Sequence, residues 1–197
     1  MKISRITHVA LIAFIALAVA GCTSAPSRFY TLNSTAAAGG APAASYAVLV
    51  GPVTVPAAVD RPQFAVQVTT NRIAIDEFNR WAAPLNENIA RVVASDLVVL
   101  LGTPQVAAAP LANFDPAYRV TIDIQRFESV RNDSVLVEAV WVVRRAAGGT
   151  ARSGRTTAHE PAQADGFDAL AAAHSRALAK VSGDIAAAIR AEAAAKP

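Results

Sequence analysis

Between Pro84 and Leu101 the apolar residues Leu85, Ile89, Val92, Val93, Leu97, Leu100 and Leu101 recur every three or four positions, while Asn86, Glu87, Arg91 and Ser95 fall on other faces. That spacing predicts an amphipathic helix. Pro84 suits its first helical position, Gly102 its C-terminal cap, and Pro104 forbids continuation. A second helical stripe runs through Phe167, Leu170, Ala177, Leu178, Val181, Ile185 and Ile189, with Asp165 or Asp168 at its start and Gly183 as a weak point inside it.

Elsewhere the period is two. Tyr118–Val130 alternates through Tyr118, Val120, Ile122 and Ile124 and shifts phase at Phe127, which predicts a strand that is bulged or two-sided. Ser134–Arg145 places Val135, Val137, Ala139, Trp141 and Val143 on one face, and Asn132-Asp133 supplies the turn of a hairpin. A further strand over Ala151–His159, reached through a Gly148-Gly149 turn, has the polar alternation of an edge or solvent-facing position. Upstream, strands are predicted over Tyr46–Val55, over Phe64–Thr70 with Phe64, Val66 and Val68 on one face, and over Arg72–Phe78 after a turn at Asn71-Arg72. The connection between Pro56 and Pro62 must be irregular, because proline supplies no ladder donor. Arg28–Leu32 reads as a short strand and Ser34–Ser45, STAAAGGAPAAS, as a flexible loop. The principal order β-β-β-α-β-β-β-α predicts one α+β domain over residues 28–194, with two helices packed on a mostly antiparallel or mixed sheet.

The N-terminus follows a different logic. Lys2 and Arg5 precede an uninterrupted apolar run, Val9–Val19, which is a signal-peptide layout. Its 11 residues fall short of the roughly 20 that a membrane-spanning helix needs. Val19-Ala20-Gly21-Cys22 resembles the bacterial lipobox, and Cys22 is the only cysteine of the chain. Residues 1–21 are therefore a lipoprotein signal peptide, Cys22 is the lipid anchor, and 22–27 is a lipidated tether. Its thiol is the nucleophile best suited to take a diacylglyceryl group, and several acyl chains together hold a membrane almost irreversibly. Thr23 follows the cysteine where an Asp would favour inner-membrane retention, which places the anchor on the periplasmic face of the outer membrane.

Charge changes the picture once the signal is removed. The 197-residue chain carries +3, but Lys2 and Arg5 leave with residues 1–21, so 16 basic residues face 15 acidic ones over the remaining 176. No nucleic-acid partner is suggested. Of the three histidines, His8 lies in the signal, while His159 on the edge strand and His174 on the last helix read as solvated or capping residues. Neither has a second ligand at metal spacing, so no metal or cofactor is implied. No nucleophile elbow, phosphate-binding loop or dinucleotide fingerprint occurs. The hydroxyls near Ser153 lack a placed base, and Asp76-Glu77, Asp123 and Glu128 read as a solvated face. The chain reads as a non-enzyme without catalytic residues.

Three blocks, VGPVTVPAAVDRPQFAVQ (50–67), FNRWAAPLNENIARVVASDLVVLLG (78–102) and YRVTIDIQRFE (118–128), together with RFYTL after the lipobox and the Ala/Ser-rich last helix, resemble the ABC-type transport auxiliary lipoproteins of the PqiC-like family. Val59–Gln63 and Arg80–Leu85 match its most recognisable motifs, although Ala83 stands where the family often has an acidic residue. The resemblance implies a non-catalytic outer-membrane lipoprotein. Its partners would be an MCE-domain protein and inner-membrane transporter components, with lipid or a hydrophobic solute moved between the membranes and copies able to assemble as a homo-oligomeric ring. Within the motifs, Asp60, Arg61 and Trp81 are the partner-interface candidates, since Arg and Trp are enriched among binding hot spots. The structural alternative is an Asp60–Arg61 ion pair that stiffens a loop and a Trp81 that covers the helix start. An envelope-assembly scaffold without a transport role would share the anchor and the fold, whereas a surface-attached hydrolase would need a cleft with converging titratable groups.

Overall fold

In the computed structural model, which describes residues 25–148 and 151–195, the chain runs β1 (Arg28–Tyr30), β2 (Val48–Thr54), β3 (Gln63–Thr69), β4 (Arg72–Trp81), α1 (Leu85–Leu101), β5 (Val106–Ala108), β6 (Tyr118–Val130), β7 (Ser134–Arg145), β8 (Ala151–Pro161) and α2 (Phe167–Ala194). The signal segment, Cys22 and Gly149 of the predicted turn lie outside the described residues. The domain is α+β, with two helices and one mixed eight-stranded sheet.

Strand β6 is the trunk of that sheet. On one side it pairs antiparallel with β7 along its whole length, and β8 closes that flank as an edge, as its polar alternation predicts. On the other side its first half pairs parallel with β2, and its end meets β3 at Gln67↔Val130. From there the sheet forks, through β2 to β5 and through β3 and β4 to β1. The phase shift read at Phe127 is a bulge, where the β6–β7 register slips between Ile124 and Arg126.

Both helices lie against one face. α1 covers β2 and β5, α2 covers β7 and β8, and the two pack on each other. The core between them follows the predicted stripes: Leu85, Ile89, Val93, Leu97 and Leu101 from α1, Leu170, Leu178, Val181, Ile185 and Ile189 from α2, and Val120, Ile122, Val137 and Val143 from the strands are all buried. Gly154 lets β8 pass beneath Trp141, since a Cβ there would stand 2.2 Å from Cζ2 of the indole.

Several expectations need correction. Pro84 is the N-cap of α1, one position earlier than predicted, although Gly102 does close it in the left-handed conformation at φ 65°. Asp168 does stand in the first turn of α2, behind Gly166 at the N-cap, and Gly183 lies inside the helix without interrupting it. β5 was not predicted, because three residues of Val-Ala-Ala show no alternation and pair only with β2. Val68 points to the same side as Phe64 and Val66 but stays exposed, because β3 runs on past the helical cover.

The segment 34–45 is irregular but it is not flexible. Asp96, fully buried on α1, accepts hydrogen bonds from Ser34 Oγ (2.6 Å), Thr35 N (3.2 Å), Ala36 N (3.3 Å) and, from α2, Ser182 Oγ (2.9 Å). Four donors replace the water that a buried carboxylate loses. Asn33 N donates to Ser175 Oγ and Ala44 N to Leu101 O, so the strap is fastened at both ends. Replacing Asp96→Ala strands these donors: we expect a loss of about 2–3 kcal/mol in chemical unfolding and faster hydrogen exchange at the Thr35 and Ala36 amides, whereas exchange unchanged at both amides would contradict the strap.

Candidate functional site

The two motifs matched at the sequence level meet in space. The loop after β2 turns on Pro56, whose carbonyl accepts from Val59 N (3.0 Å) and Asp60 N (3.1 Å). It is then sewn to the end of β4 by Trp81 N donating to Pro62 O (2.7 Å), and Ala82 N donates to Tyr30 O (2.8 Å) to close β1 onto the same corner. Asp60, Arg61, Trp81 and Pro84 line a shallow depression of about 380 Å³ at this corner.

The three candidate residues contribute unequally. Trp81 is only 5 % exposed, its ring stacked on Phe64 at 4.1 Å and edge-on to Phe127 at 6.1 Å. Phe64 in turn meets Tyr30 and Phe167 edge-on, at 5.6 and 5.1 Å. Aromatic pairs in such arrangements add about 0.5–1.5 kcal/mol each beyond their buried area. Trp81 is thus the floor of the corner and not a projecting anchor. Asp60 and Arg61 are exposed on its rim, and neither forms an ion pair among the described residues, so the internal Asp60–Arg61 bridge is not made.

Sequence reasoning missed the residue beneath this floor. His174 is fully buried on α2, its ring parallel to Phe127 at 3.8 Å and its Nε2 2.8 Å from Ser129 Oγ. Burial pushes its pKa down to about 3, so it is a neutral imidazole serving as an aromatic. The signal was available: position 174 lies four residues after Leu170 and four before Leu178 on the apolar stripe. His159 is exposed on β8.

The acidic residues have local duties. Burial works against ionisation of Asp76, but Asn79, the Phe78 N–H and Arg131 hold its carboxyl below the usual range. Glu77 meets Gln63 and Arg80, Glu128 is bound by Arg126 at 2.8 Å, and Asp123 accepts from Thr54 and Gln125. Glu160 is held below the usual range chiefly by Lys180 at 2.5 Å and also by Arg176. Among the described residues no three His, Cys, Asp or Glu side chains gather as a metal site.

This corner, built from the two motif segments on one aromatic floor, lies inside the stretch 30–186 matched by the profile of the ABC-type transport auxiliary lipoprotein component family. The chain belongs to that family. Its fold is similar to that of the XCC0632 protein of Xanthomonas campestris, at 20% identity and a TM-score of 0.70, over 84% of this chain and 97% of that one. An uncharacterized protein of known structure is similar at 19% identity and a TM-score of 0.65, over 86% and 100% of the two chains. A PelC dodecamer from Paraburkholderia phytofirmans matches at 15% identity and a TM-score of 0.42, over 77% and 90%. No curated protein matches the sequence. As an auxiliary component of a transporter, this family member works with transporter partners.

The buried imidazole has a measurable consequence. In the fold it stays neutral down to about pH 3, whereas in the unfolded chain it takes up a proton near 6.5, so between these values the unfolded state binds more protons and stability falls as pH falls. Between pH 6.5 and 5.5, above the range where Asp76 and Glu160 matter, the protein should lose about 1 kcal/mol, and His174→Gln should flatten that slope in denaturant titrations.

Proposed function

We propose that this protein is a non-catalytic lipoprotein subunit of an MCE/ABC-type transport system that moves lipid or another hydrophobic solute between membranes, fixed by lipidated Cys22 to the periplasmic face of the outer membrane. The observation that carries the proposal is the family match across nearly the whole folded body, with a lipobox-like Val19–Cys22 just ahead of it. Thr23–Ser27 is a tether of five residues, which spans at most about 17 Å. The body is therefore held close to the bilayer. From there it would present the corner at Asp60 and Arg61 to the MCE-domain protein, with Trp81 keeping the loop in shape.

Such a subunit acts by position. The acyl chains engage the membrane, the protein surface engages the partner, and each raises the effective concentration for the other. Two unpaired charges on a stiff rim fit that role, because a preorganised surface loses little entropy on binding.

Crosslinking and affinity capture from membranes of the native host, with mass spectrometry of what is recovered, tests the proposal. Wild-type protein should bring down an MCE-domain protein and inner-membrane transporter components, and Cys22→Ala should leave the membrane fraction yet keep the MCE contact once crosslinked. Recovery of cell-wall or outer-membrane assembly proteins in their place would favour the envelope-scaffold reading.

A further inference from the structure

The helix-free face of the sheet is divided. Across β6, β7 and β8 it carries Arg119, Asp123, Glu128, Arg144 and Arg155, all on the side away from the helices. Across β1, β4, β3 and the end of β6 it carries exposed apolar side chains among polar ones such as Gln67 and Arg80. Phe29, 65 % exposed, stands opposite Arg80 and turns away from the buried neighbours Tyr30 and Trp81. Ile73, 44 % exposed, lies opposite Gln67, which is itself opposite exposed Val130. Phe78 is exposed where the Asp76 turn bends β4. Of the six large apolar side chains exposed among the described residues, Leu111 lies elsewhere, in the loop after β5 at the far edge of the sheet, and Val68 is on the other face near the β3–β4 turn.

We propose that this apolar half-face is seated on the phospholipid bilayer that holds the lipid anchor. The inference rests on the reading of Cys22 as that anchor. Phe29 follows Cys22 by seven residues, so it stands within about 25 Å of the membrane surface whatever path the tether takes. The half-face that the tether reaches is the one that carries exposed aromatic and aliphatic residues, and the charged half is farther along the sheet. Scattered apolar side chains among polar ones suit the boundary between headgroups and acyl chains. Seated this way, the body lies on its side with the Asp60–Arg61 corner at the margin of the contact and open to the periplasm.

The test uses the full-length lipidated protein reconstituted into vesicles of phosphatidylethanolamine and phosphatidylglycerol whose acyl chains carry bromine, which quenches nearby indoles. Ile73→Trp is compared with Leu111→Trp, and the unsubstituted protein supplies the background from Trp81 and Trp141. The introduced indole at 73 should lose about half its emission and the one at 111 almost none. On the unsubstituted protein, hydrogen exchange at the Val68–Ile73 amides should slow on vesicles, a readout independent of how the variants fold. Intact mass and flotation report on the anchor separately. Protein that floats and carries the lipid on Cys22, yet shows no quenching at 73 or equal quenching at both positions, overturns the seated face and leaves the anchor standing. Shielding at 73 that rises with protein concentration and not with bromolipid identifies a second copy as the occupant and overturns it too. Absence of lipid on Cys22 overturns the anchor and this inference together.

Discussion

The structure depends on one constraint: both helices pack on the same face of an eight-stranded sheet. A sheet covered on one side must resolve its two faces by chemistry, and this one does so by alternation along β6, β7 and β8, re-phased once at the bulge in β6. On the covered side the alternation supplies the core. On the open side it supplies charged residues over one half and exposed apolar residues over the other, so the surface left to meet other molecules is a consequence of the packing arrangement.

Where the helical layer ends, aromatic residues take over. Tyr30, Phe64, Trp81, Phe127, Phe167 and His174 join β1, β3, β4, β6 and α2, and they support the corner that carries Asp60 and Arg61. Arg131 caps Phe167 at 5.0 Å and reaches Asp76 at 3.7 Å, so the outer residues of the cluster are tied to the turn in β4. A neutral histidine in that stack contributes ring area and one hydrogen bond to Ser129. The buried Asp96 plays the matching part at the other side of the helical layer, where its four donors hold the N-terminal strap across α1 and α2.

Long periodic elements were legible from the residues because burial enforces their pattern over many turns or pleats: β6 and α2 occupy the predicted residues, and the bulge announced itself as a slip in phase at Phe127. Short or buried-polar features were not. β5 is too brief to show a period, and the strap looked flexible because its order is imposed by Asp96, sixty residues away in sequence at the Ala36 contact. His174 read as a polar residue because the identity of a side chain does not reveal whether burial has neutralised it. The motif residues Asp60, Arg61 and Trp81 did come together, but only the structure separates the two charges on the rim from the indole in the floor.

A subunit of this kind has to face two ways, toward the membrane that holds it and toward the transporter it serves, and the rim at Arg61 is the surface we propose for the second task. The most direct measurement is photocrosslinking in cells of the native host, with a photoreactive amino acid placed at position 61 or, on the charged part of the sheet, at position 155. The account predicts an adduct with a transporter component from position 61 and none from position 155. The same adduct from both positions, or an adduct from 155 alone, would contradict it.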